Sequence, residues 1–271
     1  MYWLRYLLKE PYHALRSPMG RVMLQLFRKY ADTPRYQPTT IRFLDYTFDV
    51  PDAFSFCWQF KEIFVDESYR FDSSNGQPLI LDCGSNVGLS ILYFKKRFPN
   101  AQIIAFEADP HIAQYLHKNL KNNGVTSVEV IEKAVWIHNQ GVSFASEGAD
   151  GGSVSVGGMA QEIPSIRLSE VLPTFPKIDF LKMDIEGAET AVIPDCRDVI
   201  SHIQHLFVEY HAYLGEPQRL GELLTILTDK GFRYYMDTNQ HRMAPFVNRT
   251  YKDNQTMDLQ LNIFANKSTE A

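Results

Sequence analysis

Apolar residues recur along the chain in two alternating rhythms. Short apolar runs of strand length lie at Leu79–Leu81, Gln102–Phe106, Ser127–Ile131, Ile178–Met183 and Ile203–His211. Helical stripes fall between them. Val87, Ile91, Phe94 and Phe98 share one face, as do Ile112, Leu116 and Leu120 in a helix that Asp109-Pro110 starts and Asn123-Gly124 ends. A shorter strand, Ile163–Leu168, precedes a short helix over Ser169–Leu172. Pro217 is expected to open a further helix, with Leu220, Leu223, Leu224 and Leu227 inward and Lys230-Gly231 closing it. Phe232–Met236 and Leu259–Ala265 then read as an antiparallel end to an otherwise parallel sheet.

Upstream the pattern changes. Met19, Val22, Met23, Leu26, Phe27 and Tyr30 form a helical stripe, with Arg21, Gln25, Arg28 and Lys29 off it. Residues 1–35 carry Arg5, Lys9, Arg16, Arg21, Arg28, Lys29 and Arg35 against Glu10 and Asp32. Such a basic amphipathic segment either packs on its own domain or meets an anionic membrane surface or a partner. Ile41–Val50 suggests a hairpin and Phe54–Phe64 a short aromatic helix. The turn-rich Asp72–Pro78 marks a boundary between an N-terminal extension, 1–75, and a catalytic domain, 76–271. Glu147–Gly158 is glycine-rich, either a lid or a solvated connection. The segment holding His241, Arg242, Met243, Pro245, Phe246 and Arg249 is a candidate acceptor loop. Asn248-Arg249-Thr250 spells a glycosylation sequon that no secretory signal supports.

Composition changes this picture little. The 271 residues are 45% hydrophobic and 22% charged, with net charge −5, which disfavours a nucleic-acid binder. Cys57, Cys83 and Cys196 are scattered and odd in number, as in a reducing compartment. No apolar run reaches membrane-spanning length and no secretory signal opens the chain, so a cytoplasmic location is expected, peripheral at the inner membrane surface if the basic segment docks there.

The chemistry concentrates where strands stop. Leu79–Leu81 ends in Asp82-Cys83-Gly84-Ser85-Asn86-Val87-Gly88, a tight turn whose glycines allow unusual backbone angles and close approach of a ligand, with opening helix amides facing it. Asn86 stands where a dinucleotide fingerprint has its second glycine, which disfavours a dehydrogenase. The next strand ends in Glu107, at the distance where a carboxylate takes ribose hydroxyls. Asp82 beside a cationic ligand and Glu107 beside a ribose suit S-adenosylmethionine better than a pyrophosphate.

Asp82–Gly88, Phe106-Glu107-Ala108-Asp109-Pro110, Leu181-Lys182-Met183-Asp184-Ile185-Glu186-Gly187-Ala188-Glu189 and Val208-Glu209-Tyr210-His211 together resemble the FkbM-type methyltransferases. The resemblance runs from about residue 40 to the C-terminus. It implies an α/β class I methyltransferase fold, a Rossmann-like seven-stranded sheet with an antiparallel final strand, and S-adenosylmethionine as donor to a hydroxyl of a sugar, glycan or natural product. Asp82, Gly84, Ser85, Asn86, Gly88, Glu107, Ala134 and Asp184 are then the expected cofactor contacts, Ala134 leaving room for the adenine.

Asp82, Glu107, Asp184 and Glu209 all sit at carboxyl ends of parallel strands, where ligands bind. Glu209 and His211, two apart on a strand, share a face. His211 is the expected general base, oriented by Glu209 or Asp184. Asp184, Glu186 and Glu209 are the alternative, a site for a divalent cation such as magnesium that would acidify the acceptor. Glu189 is expected to serve its helix dipole. A non-catalytic binding module docking through the basic N-terminus is the rival of a different class, and turnover separates the two.

Overall fold

The computed structural model describes residues 16–74, 76–146, 152–154, 161–238, 243–248 and 257–267. Residues 1–15, most of the glycine-rich Glu147–Gly158 stretch, and His241, Arg242 and Arg249, with part of the sequon, lie outside them.

Ser17 caps the first helix, α1 (Pro18–Tyr30), its hydroxyl accepting the Gly20 amide at 2.8 Å. The apolar stripe of α1 is turned onto the protein. Leu26 and Tyr30 are buried, and Met19, Val22, Met23 and Phe27 pack on the same core. Over residues 18–30, packing on the domain is therefore what the stripe does, while Arg21, Arg28 and Lys29 stay exposed. β1 (Thr39–Phe43) and β2 (Tyr46–Val50) form the expected hairpin. α2 (Ala53–Phe60) begins at Asp52, whose carboxylate accepts the Phe54 and Ser55 amides. It then widens into a π-helical turn, Lys61–Val65, closed by Asp66 N–H donating to the Lys61 carbonyl at 2.9 Å. Phe43, Phe48, Phe56, Phe60 and Phe64 belong to one buried cluster with Ile80, Leu89, Phe94 and Phe207. Buried residues on both sides of the 72–78 stretch belong to this one cluster.

The remaining elements alternate as predicted: β3 (Leu79–Cys83), α3 (Leu89–Arg97), β4 (Gln102–Phe106), α4 (Pro110–Asn122) and β5 (Val128–Ile131). Next come β6 (Ala134–Trp136), β7 (Val142–Ser146), β8 (Gly152–Val154), β9 (Gln161–Ile163), β10 (Ser165–Arg167) and α5 (Leu168–Val171). The chain closes with β11 (Ile178–Met183), α6 (Glu189–Asp195), β12 (Ile203–Tyr213), α7 (Leu220–Asp229), β13 (Phe232–Asp237) and β14 (Met257–Lys267). The main sheet runs β13-β14-β12-β11-β3-β4-β5, with β14 antiparallel to both its neighbours and the rest parallel. This is the class I methyltransferase sheet.

Local departures have simple causes. Pro164 divides the predicted Ile163–Leu168 strand into β9 and β10, which pair with different partners. α7 starts at Leu220 behind Arg219, three residues beyond Pro217. No helix among the described residues is long and apolar enough to cross a membrane.

Candidate active site

β3 delivers Asp82 to the sheet end, and the turn after it folds against its own neighbours. Gly84 and Ser85 donate their amides to the Phe106 carbonyl at 2.9 and 3.0 Å, Asn86 to Glu107 Oε2 at 2.8 Å, and Gly88 to the Ser85 carbonyl at 2.9 Å. Val87 N–H is taken by Asn86 Oδ1 at 2.6 Å. The backbone amides from Gly84 to Gly88 are thus satisfied within the protein and offer an anion such as pyrophosphate no free backbone donor.

The glycines have the unusual backbone angles expected of them, and protein atoms also crowd them. Gly84 (φ 82°) and Gly88 (φ 90°) do adopt left-handed angles. What approaches them, however, is protein. A Cβ on Gly84 would lie 1.9 Å from the Asp184 carbonyl oxygen, and one on Gly88 2.8 Å from Leu116 Cδ1. Asn86 also holds a left-handed φ of 48°, which asparagine tolerates better than most residues.

Acceptors ring the turn. Glu107 Oε2 takes the Asn86 amide and Oε1 the Asp109 amide at 2.9 Å, leaving each oxygen further lone-pair capacity for ribose hydroxyls. Burial pushes the Glu107 carboxyl up to about 7, against the two amides. Asp82 is fully buried; Oδ2 accepts the Ser90 hydroxyl at 2.5 Å, while Oδ1 has no hydrogen bond and the Lys182 ammonium stands 3.6 Å away. A ligand rich in donors, such as an aminoacyl ribonucleoside, fits this arrangement. Ala134 is buried with Val142 and Ile163 in a small apolar cluster against β9.

Sequence reading passed over Lys182, although a lysine inside an apolar central strand must find charge partners. Its Nζ donates to the Gly84 carbonyl at 2.7 Å and lies 3.2 Å from Asp184 Oδ2. Burial opposes its charge, yet Asp184 and Asp82 hold it protonated well above the lysine range. Burial likewise opposes the Asp184 charge, and Lys182 and His211 overcome it. Glu209 shares a hydrogen bond with Asp184 and accepts one from Gln260 Nε2. Burial, then Asp184, drives its carboxyl far above the usual range.

His211 is buried between two other carboxylates. Its Nδ1 lies 3.1 Å from Glu189 Oε1 and its Nε2 3.6 Å from Glu186 Oε2. Burial disfavours the imidazolium, but Glu186 and Glu189 outweigh it and keep the ring charged. To act as the expected general base, the ring would first have to lose the proton that Glu186 and Glu189 favour. Glu189 and Glu186 hold it, rather than the expected Glu209 or Asp184. Glu189 also differs from its expected dipole role: its Oε2 accepts the Gly187 amide at 2.9 Å, but Oε1 binds β12 through His211.

The cation site is corrected too. Asp184, Glu186 and His211 place one ligand atom each within 4.8 Å of one another, and Glu209 is not of that group. The fit to magnesium fails on chemistry. That ion favours an octahedron of oxygens, whereas here one ligand is imidazole and Asp184 is already matched by Lys182 at 3.2 Å.

A cleft of about 1100 Å³ is lined by Gly84, Ser85 and Asn86, by Lys182, Asp184, Glu186 and Glu209, and by Glu62 and Tyr69 from the N-terminal extension; Asp82, Glu107, Ala134 and His211 are not among the residues that line it.

Residues 82–234, more than half of the chain, match the family described as Methyltransferase FkbM domain. The chain belongs to the FkbM methyltransferase family. Among curated relatives of this FkbM protein, Methyltransferase sdnD of Sordaria araneosa is 29% identical over 219 residues, covering 64% of this chain and 80% of that one. The 2-O-methyltransferase NoeI of Sinorhizobium fredii is 25% identical over 156 residues, 49% of this chain and 63% of that one. The SAM Dependent Methyltransferase from Agrobacterium tumefaciens, with a TM-score of 0.50 and 8% identity over 88% of this chain and 72% of that one, shares the fold.

Proposed function

We propose that this methyltransferase uses S-adenosylmethionine and that its acceptor is a hydroxyl of a sugar, glycan or natural product. The observation that carries the reading is the single cleft running from the Gly84–Asn86 turn to the Asp184, Glu186 and Glu209 strand ends. A donor over the turn and an acceptor beside Asp184, Glu186 and Glu209 would share one cleft, and such positioning is worth several kcal/mol of barrier.

S-adenosylmethionine, when bound, supplies a methyl group on a sulfonium. Glu107 would hold its ribose, and the buried acceptors at Asp82 would suit its positively charged end. The satisfied turn amides favour this ligand over a dinucleotide. Lys182 ties the two halves of the site together: it bonds the Gly84 carbonyl and balances Asp184 at the neighbouring strand end. The imidazolium of His211 and the ammonium of Lys182 offset the carboxylates around them. The acidic end can therefore hold the hydroxyls of an acceptor by hydrogen bonds without a large net field.

An oxygen acceptor is further supported by the relative NoeI, a 2-O-methyltransferase. The test is a product screen. The purified chain, S-adenosylmethionine and a panel of glycosides, polyols and amines are incubated, and methylated products are read by mass spectrometry with fragmentation. Methyl on oxygen is expected. Methyl on nitrogen or carbon, with none on oxygen, would overturn the acceptor class.

A further inference from the structure

We infer that Glu62, held by Asn262, is the carboxylate that takes the proton from the acceptor hydroxyl. The inference rests on the methyltransferase reading above and adds a catalytic residue from outside the family-matched segment 82–234.

Glu62 belongs to the π-helical turn that follows α2. Such one-turn widenings inside helices are frequent at functional sites. Its Oε1 accepts Asn262 Nδ2 at 2.9 Å, a contact between residues 200 apart in the chain. Asn262 is itself buried and stands directly opposite Glu209 in the β12–β14 ladder. Glu62 is thus anchored on the β14 side of the cleft, and the sheet order β14-β12-β11-β3 puts two strands between β14 and the β3 strand that carries the glycine turn. That is the acceptor's end of the cleft, away from Glu107.

The other groups near this end are committed. His211 is held as a cation by Glu186 and Glu189, and Glu209 shares a hydrogen bond with Asp184. Asp184 is matched by Lys182 at 3.2 Å. Asp66 pairs with Lys61 at 2.6 Å and Glu67 with Arg70 at 2.7 Å. Glu62 is bound instead by a neutral amide, through one of its two oxygens. Burial and then Asp184 push its carboxyl up to about 7, against Lys182 and Asn262; Asp66 adds to the rise, and Tyr69 and Glu209 also feel its charge. A base with its pKa close to working pH is well suited to proton transfer.

In the step, the acceptor oxygen forms a bond to the methyl carbon while the carbon–sulfur bond breaks and its electron pair stays on sulfur. The hydroxyl proton passes to Glu62 Oε2, the oxygen Asn262 does not occupy, and leaves to solvent after the product.

The test uses the full chain with Glu62→Gln, which keeps an oxygen for Asn262. Calorimetry with S-adenosylhomocysteine should give an affinity within about twofold of wild type, whereas Glu107→Ala weakens it about tenfold or more. On the glycoside or polyol methylated in the product screen, kcat of Glu62→Gln should fall about a hundredfold or more, with Glu62→Asp recovering part of the rate. In carbon-13 glutamate-labelled protein holding S-adenosylhomocysteine, the carboxyl signal lost in Glu62→Gln should titrate near 7. Weakened S-adenosylhomocysteine binding by Glu62→Gln, an unchanged kcat, or an ordinary glutamate titration would each overturn the assignment. Failure of the parent reading looks different: the wild type would bind no S-adenosylhomocysteine or place no methyl on oxygen.

Discussion

Glu189 grips His211 twice: the same buried carboxylate oxygen accepts the His211 backbone N–H at 2.6 Å and lies 3.1 Å from its Nδ1. The first residue of α6 thereby fastens its helix to β12, and after Glu186 it favours the charged imidazole. Removing one partner of a buried ion pair leaves the other uncompensated. Glu189→Ala should therefore cost about 3–5 kcal/mol of stability in urea unfolding. A loss below about 1 kcal/mol, the size of a helix-dipole effect alone, would contradict this account.

Acid–base behaviour follows from Glu107 and Glu62, each raised from 4.5 to about 7 by burial. A carboxyl raised in the folded state contributes stability that is full below its ordinary value and lost as pH rises through the folded value. The ligand-free chain should lose thermal stability between about pH 5 and about pH 8, and Glu107→Gln should lessen that slope. Ribose hydroxyls favour the ionised form of Glu107. S-adenosylhomocysteine affinity should thus rise up to about tenfold from about pH 6 to about pH 8, with proton release measurable by calorimetry in buffers of different ionisation enthalpy.

The turn glycines differ in what surrounds them. Gly84→Ala puts a methyl 1.9 Å from the Asp184 carbonyl oxygen, a backbone atom with nowhere to go, and should leave little folded protein. Gly124→Ala, also at positive φ but with nothing within 4 Å, should cost only about 1 kcal/mol. Comparable melting temperatures for the two variants would show that backbone angle alone explains Gly84.

Much of this was legible in the chain. The strand-length runs at 79–81, 102–106 and 178–183 and the stripes at Val87 and Ile112 record a sheet buried on both faces. Asp82, Glu107, Asp184 and Glu209 could be placed at strand ends because apolar runs stop there. Less legible was who pairs with whom. Lys182 sat within a quoted motif, two residues before its partner Asp184, yet its other partner Asp82 meets it only across the β3–β11 register. Glu186 and Glu189 reach His211 from a different element, and Glu62 reaches Asn262 across 200 positions. Spacing along one strand predicted Glu209 beside His211. Charge state, however, depends on every element packed around a ring, and that is a property of the assembled fold. The signal available for Glu62 was an acidic residue, beside Lys61, at the end of a largely aromatic helix.

The most direct test of the central claim is a calorimetric titration of the wild type and Glu107→Ala with S-adenosylhomocysteine at neutral pH. The account predicts one site per wild-type chain and an affinity lower by about 10- to 100-fold in the variant, the loss expected for hydrogen bonds to a charged group. No binding by the wild type, or equal affinity in the two proteins, would contradict it.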